Sequence, residues 1–359
     1  MKILQSLQHQ IYIGNGSINV LKDLMKQYTS DQIVVIADEN TYRHCYSLLA
    51  LKTDEKTIIV SAGEEHKNLL TATKVWEQLL NYKINRNGLI INLGGGVVGD
   101  LGGFCASVWK RGIDFIQIPT SLLAMIDASC GGKTGVNLDG VKNQIGTFTT
   151  PVAVIVDPIF LKTLPQREFL SGVAEMLKHA IISKDKSHFN QLSEIETPTI
   201  ENIAPLIEQS IAIKNSIIMQ DPYEKNIRRI LNFGHTIGHA IETWSQTSKT
   251  PPLLHGETIA LGMQYEIQLA CTKQLISQAT TTQYVTFINK FFPYLTTEPL
   301  PADILIDIMQ HDKKNADESI SFVLPLENDG FDVDVKVGYE EIRWIFADMN
   351  FIKFMKIKS

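Results

Sequence analysis

The sequence predicts two domains: an α/β N-terminal domain on a doubly wound parallel sheet and an all-α C-terminal domain. Three observations point there. Six short β-rich runs, at 10–13, 32–37, 57–60, 89–93, 115–118 and 152–156, alternate with helical patterns such as 69–82. Several of these runs are apolar on both faces, as strands covered by helices on both sides must be. After Pro165 long helical patterns take over and only 319–324 reads as a strand. Finally, 359 residues exceed what one hydrophobic core can serve. The boundary falls at the Thr163-Leu164-Pro165 turn, giving domains 1–164 and 165–359.

Composition narrows the function. A hydrophobic content of 44% and a charged content of 20% describe an ordinary globular protein. A net charge of −6 and a pI near 5.9 exclude broad nucleic-acid or anionic-membrane binding, so any anion recognition is local. No apolar run reaches the length of a membrane span, and the first ten residues lack the apolar core of a signal peptide. Cys45, Cys105, Cys130 and Cys271 are scattered without a CxxC pair, which fits reduced, buried thiols in the cytoplasm.

Two strand ends carry chemistry in the first half. The run 32–37 stops at Asp38-Glu39-Asn40, a carboxylate and an amide at the rim where ligands bind in such sheets. The run 89–93 enters Gly94-Gly95-Gly96-Val97-Val98-Gly99-Asp100, where Gly94, Gly96 and Gly99 meet the GxGxxG spacing. Glycines there let a pyrophosphate approach the backbone and the N–H groups of the following helix. The alternative is merely a tight turn. The ribose-binding carboxylate is better sought at Asp38, because Asp114 precedes its strand. Next, Gly131-Gly132-Lys133-Thr134 resembles half a P-loop, but the Walker spacing needs glycine at 127, where Asp127 stands. What remains is a glycine-flexed loop presenting Lys133, followed by Lys142 and Asn143. With Arg111 these either cradle the anionic groups of a small substrate or form a solvated loop.

In the second half, Glu175 and Lys178 fall at i and i+3 on one helical face, either facing a site or forming a surface ion pair. Lys214 sits among aliphatics at 211–219, either snorkelling or pointed at an anion. Read as one helix, 231–242 carries His235 and His239 on one face, with Asn232 and Glu242 near that line. Glu224 and Arg228 extend the stripe upstream. His255-Gly256-Glu257 adds a second imidazole–carboxylate cluster, so more donors are offered than one zinc ion needs. Spacing does not choose among them. Asp312-Lys313-Lys314 adds positive charge before the late strand.

These stretches together resemble the 3-dehydroquinate synthases and, more widely, the sugar-phosphate cyclases. The resemblance runs over nearly the whole chain and rests on 94–103, 119–137, 172–178, 231–242, His255-Gly256-Glu257 and Asp312-Lys313-Lys314. It implies an NAD-binding, Rossmann-like first domain, a helical metal-binding second domain, and an active site in the cleft between them. The implied zinc (or Co²⁺) ligands are Glu175, His235 and His255, with His239 facing the substrate. NAD contacts fall on Asp38, Asn40, Glu64, Lys67, Gly95, Gly96, Asp100, Thr120, Ser121 and Thr163, and Lys133 and Lys142 border that cofactor. Asp127 meets the nicotinamide or substrate end. Substrate contacts fall on Lys133, Lys142, Asn143, Lys178, Lys214, Arg228, Asn232, His239 and Lys314 (or Lys313). Arg111 reaches a neighbouring subunit's site, implying a homodimer. The implied substrate is 3-deoxy-D-arabino-heptulosonate 7-phosphate, a sugar phosphate bearing a carboxylate, with no nucleic-acid or membrane partner. Retention of Lys214, Arg228, Asn232 and His239 together favours it over the carboxylate-free substrates of other cyclases.

Overall fold

The computed structural model describes residues 1–51, 56–139, 141–248, 251–293, 295, 300–312 and 319–348, and it divides into two compact units. The first comprises Met1–Phe169 and Ile200–Pro222, the second Leu170–Thr199 and Tyr223–Ser359. The segment Ile200–Pro222 therefore puts Lys214 in the same unit as the strands.

In the first unit the apolar runs become strands β1 (Lys2–Ser6), β2 (His9–Ile13), β3 (Ile33–Asp38), β4 (Lys56–Val60), β5 (Leu89–Gly94), β6 (Asp114–Pro119) and β9 (Ala153–Val156). They form one sheet in the order β1-β2-β9-β6-β5-β3-β4. β1 pairs antiparallel with β2, and the other neighbours run parallel. β5 and β9 are buried throughout, as two-sided coverage requires. β4 and β5 flank β3 on opposite sides, so the strand order reverses there. A doubly wound sheet binds ligands at the carboxyl ends beside such a reversal.

Three expectations are corrected. The glycine-flexed loop around Lys133 is a hairpin: β7 (Lys133–Leu138) pairs antiparallel with β8 (Val141–Phe148). Val136 is fully buried in the core shared with Leu101 and Phe104 of the Gly96–Val108 helix, which makes the stretch a half-buried strand. In the second unit, which is largely helical, the strand expected at 319–324 has a partner: β10 (Ser319–Pro325) pairs with β11 (Phe331–Gly338).

The third correction concerns 231–242. A 3-10 turn, Ile227–Asn232, ends before Phe233, and a separate α-helix runs His235–Ser248. Gly234 between them has φ +80°, so Glu224, Arg228 and Asn232 do not continue the histidine stripe. The break comes from packing. A Cβ on Gly234 would lie 2.5 Å from Met263 Cγ and 3.1 Å from Ile259 O, both on the His255–Thr272 helix. That helix is buried along nearly its whole length and forms the centre of the unit.

Candidate active site

Three helices of the second unit converge on one group of donors. Glu175 on Gln166–Ile182, His235 at the start of His235–Ser248, and His255 at the start of His255–Thr272 bring one ligand atom each within 4.8 Å of one another. Glycine contacts set this convergence. A Cβ on Gly262 would strike Gly234 O and lie 2.7 Å from Gly238 N, so the two histidine helices touch backbone to backbone. At the other end, Gly256 N donates to Ser171 Oγ at 2.9 Å and ties His255 to the helix of Glu175.

The donor orientations fit a divalent cation. Nε2 of His235 and of His255 stand 3.6 and 3.4 Å from Glu175 Oε1. The other ring nitrogens are occupied: His235 Nδ1 bonds Phe233 O at 3.1 Å, and His255 Nδ1 faces Glu242 Oε2 at 3.4 Å. A metal-binding imidazole is commonly held in this way, its second nitrogen on a carbonyl or carboxylate. Glu175 is fully buried. Lys178 Nζ forms its ion pair. Two imidazoles and one carboxylate leave room for water or substrate on a tetrahedral ion.

The electrostatics agree with that assembly. Burial opposes ionisation of Glu175, yet Lys178 and the two imidazoles hold its carboxyl well below the usual range. Burial, helped by Lys178, pushes His235 well below the usual imidazole range. Burial pulls His255 down as well, but Glu175 and Glu242 outweigh it and raise this imidazole to about 9.

His239 is exposed one turn beyond His235, with ring centroids 5.1 Å apart. Arg228 is buried, and Asn232 Nδ2 donates to Glu224 Oε1 at 2.8 Å. Glu257, one of the surplus candidate ligands, is spent locally: its Oε2 accepts Leu254 N at 2.8 Å and caps its own helix. Lys313 and Lys314 lie outside the described residues.

In the first unit the glycine turn follows β5 directly. Gly95 caps the Gly96–Val108 helix without a side-chain bond, and a helix N-terminus of this kind suits an anion. Gly95, Gly96, Pro119, Ala128 and Ser129 line a cleft there. Thr120 N bonds Gly94 O at 3.0 Å, and Ser121 Oγ accepts Ala124 N at 3.2 Å. Asp38 ends β3 and caps the next helix through Asn40 N and Thr41 N, at 2.9 and 2.8 Å. Thr163 hydrogen-bonds the Cys45 thiol.

Beside the glycine turn, Lys67 is buried between Glu64 Oε1 at 3.0 Å and Asp100 Oδ2 at 3.1 Å. Asn137 joins this group to the hairpin. Its Nδ2 donates to Glu64 Oε1 at 2.9 Å, and its Oδ1 accepts Asn143 N, also at 2.9 Å. Asn143 has φ +54°. Lys214 Nζ meets Asp127 Oδ1 at 2.5 Å and Asp127 O at 2.8 Å. Lys133 is exposed at the start of β7, Lys142 is on β8, and Arg111 is an exposed residue with φ +70°.

Sequence reasoning gave no role to Ser171, Asn137 or Glu266. Glu266 had one usable signal, a lone carboxylate in the apolar run 259–267, about three helical turns from His255 and so on its face.

Known proteins similar to this chain identify its family. The family profile described as 3-dehydroquinate synthase N-terminal matches residues 57–171, and the C-terminal profile matches 172–315. A 3-dehydroquinate synthase of Parabacteroides distasonis is 38% identical over 335 residues, 92% of this chain and 94% of that protein. One from Sulfurovum sp. is 41% identical over 318 residues, 87% and 89% of the two chains. Among solved structures, 2-deoxy-scyllo-inosose synthase complexed with carbaglucose-6-phosphate, NAD⁺ and Co²⁺ has a TM-score of 0.86 at 25% identity. That match covers 96% of this chain and 99% of the other. On the profile matches and these identities, the chain belongs to the 3-dehydroquinate synthase family.

Proposed function

We propose that this chain converts 3-deoxy-D-arabino-heptulosonate 7-phosphate to 3-dehydroquinate and phosphate, a lyase reaction using catalytic NAD and one Zn²⁺ or Co²⁺. The observation that carries the reading is the convergence of Glu175, His235 and His255, with both Nε2 atoms directed at the same carboxylate oxygen. Nitrogen and oxygen donors of this kind accept either cation.

When bound, NAD supplies a reversible hydride acceptor, and the cation a Lewis acid that acidifies the substrate hydroxyls. The residues supply the rest. The uncapped N-terminus of Gly96–Val108 holds the pyrophosphate, while Asp38 and the Glu64–Lys67–Asp100 group hold the ribose end. Lys133, Lys142, Asn143, Lys214 and Arg228 bind carboxylate and phosphate and limit the conformers available for ring closure. His239, Asn232 and Lys178 orient the ring hydroxyls, with His239 placed to move a proton. Asp127 holds Lys214 toward the substrate, and Lys314 completes the cationic set. Arg111 extends to the site of a second copy, so the working form is a homodimer.

The test is incubation of purified protein with NAD⁺ and the heptulosonate phosphate. Phosphate release and 3-dehydroquinate without accumulating NADH support the reading. Stoichiometric NADH would assign a dehydrogenase instead, and a different carbocycle another cyclase.

A further inference from the structure

The helix His235–Ser248 is preceded by Gly234, which has no side chain to cap it, yet its first amides are not left open. Glu266, fully buried on the His255–Thr272 helix, accepts Gly234 N at 2.6 Å and Ile237 N at 3.3 Å. In an ordinary capping box the cap side chain takes the N–H of the third helical residue, and that residue's carboxylate returns to the cap N–H. Here one carboxylate from a neighbouring helix takes both. Both bonds lie at the positive end of the helix dipole, where a carboxylate is favoured.

We propose that Glu266 is a positioning residue for the metal site: by clamping Gly234 and Ile237 it fixes the backbone on either side of His235, and with it the direction of Nε2. The clamp holds the φ +80° turn that brings Phe233 O to His235 Nδ1 at 3.1 Å, and that bond sets the ring. Glu266 shares its helix with His255, so one rigid element carries one donor and places another. The proposal rests on His235 being a ligand.

The experiment compares Co²⁺ binding to wild-type apoprotein and to the Glu266→Gln and His235→Ala variants, with the visible d–d bands of each Co²⁺ form. Gly234 N and Ile237 N bond different carboxylate oxygens, and a glutamine turns one of those two positions into an NH₂ donor, so one N–H loses its acceptor. Glu266→Gln is expected to bind Co²⁺ about 10–100-fold more weakly, with shifted d–d bands, while the apoprotein still melts cooperatively, lowered only by the loss of one cap bond. His235→Ala is expected to lose Co²⁺ altogether. Wild-type affinity and bands in Glu266→Gln, with His235→Ala dead to metal, would overturn the clamp and spare the ligand reading. Retained Co²⁺ in His235→Ala would overturn both.

Should Glu266→Gln fail to fold, wild type alone decides. Binding and clamping are linked, so Zn²⁺ must slow amide exchange at Gly234 and Ile237. Unchanged exchange at both amides on Zn²⁺ loading would overturn the proposal.

Discussion

Two buried clusters, one in each unit, combine a lysine with carboxylates and come out differently. Around Lys67 the charges answer one another: Glu64 and Asp100 lie at 3.0 and 3.1 Å, and Asn137 takes up a further acceptor. Burial alone would lower the lysine, but the two carboxylates raise it. Around Glu175 the same ingredients leave donors unspent. Lys178 pairs with the carboxylate, and two imidazole nitrogens converge on its other oxygen at 3.6 and 3.4 Å, longer than good hydrogen bonds. The first cluster is complete as the chain folds. The second is built for something the chain does not itself provide.

Removing donors separates the two most strongly. His255→Ala, and equally Glu175→Ala, is expected to lose bound metal to background in elemental analysis. His239→Ala keeps the metal and lowers turnover. Loss of metal in His239→Ala alone would move the ligand set to the His239–Glu242–His255 group.

Proton release comes next in size. Without metal, His255 titrates near 9 and holds a proton at neutral pH, whereas His235 is already neutral. Ligation needs a neutral imidazole, so cation uptake at pH 7 expels about one proton. Affinity should climb about tenfold per pH unit and level off near 9. Titration calorimetry in two buffers of different ionisation enthalpy measures the proton, and a count of zero contradicts the arrangement.

Breaking the closed cluster should cost stability and not metal. Lys67→Met leaves Glu64 and Asp100 facing each other. Their side chains are 34% and 21% exposed, so the expected loss is about 2 kcal/mol, less than the ~3–5 kcal/mol of a fully buried pair. Chemical denaturation reads the loss, with metal content unchanged. The smallest effect is expected from Glu257→Ala. It removes a helix cap worth about 1 kcal/mol and should leave the metal in place, whereas metal loss would return Glu257 to the ligand set.

How much of this could be read from the sequence follows from which interactions are local. The strands β3, β5, β6 and β9 were legible because both-face burial demands apolar runs, and β2 and β4, buried on one face only, from their short β-rich composition. β1 was not, being an edge strand with an exposed, mixed pattern. β11 alternates Val333, Val335 and Val337 with Asp332, Asp334 and Lys336, a period-two signal present but masked by the helical texture around it. The residues of the donor set were nameable through family resemblance, while spacing left Glu242, Glu257 and His239 as rivals. What separated them in space is tertiary. The left-handed turn at Gly234 and the close approach of Gly262 depend on two helices meeting, and neither segment records its partner.

The central claim is met most directly by anomalous diffraction at the cobalt edge from crystals of Co²⁺-loaded protein. The account predicts one strong peak within coordination distance of a Glu175 oxygen and the Nε2 atoms of His235 and His255. A peak on His239 and Glu242 instead, or none near Glu175, would contradict it.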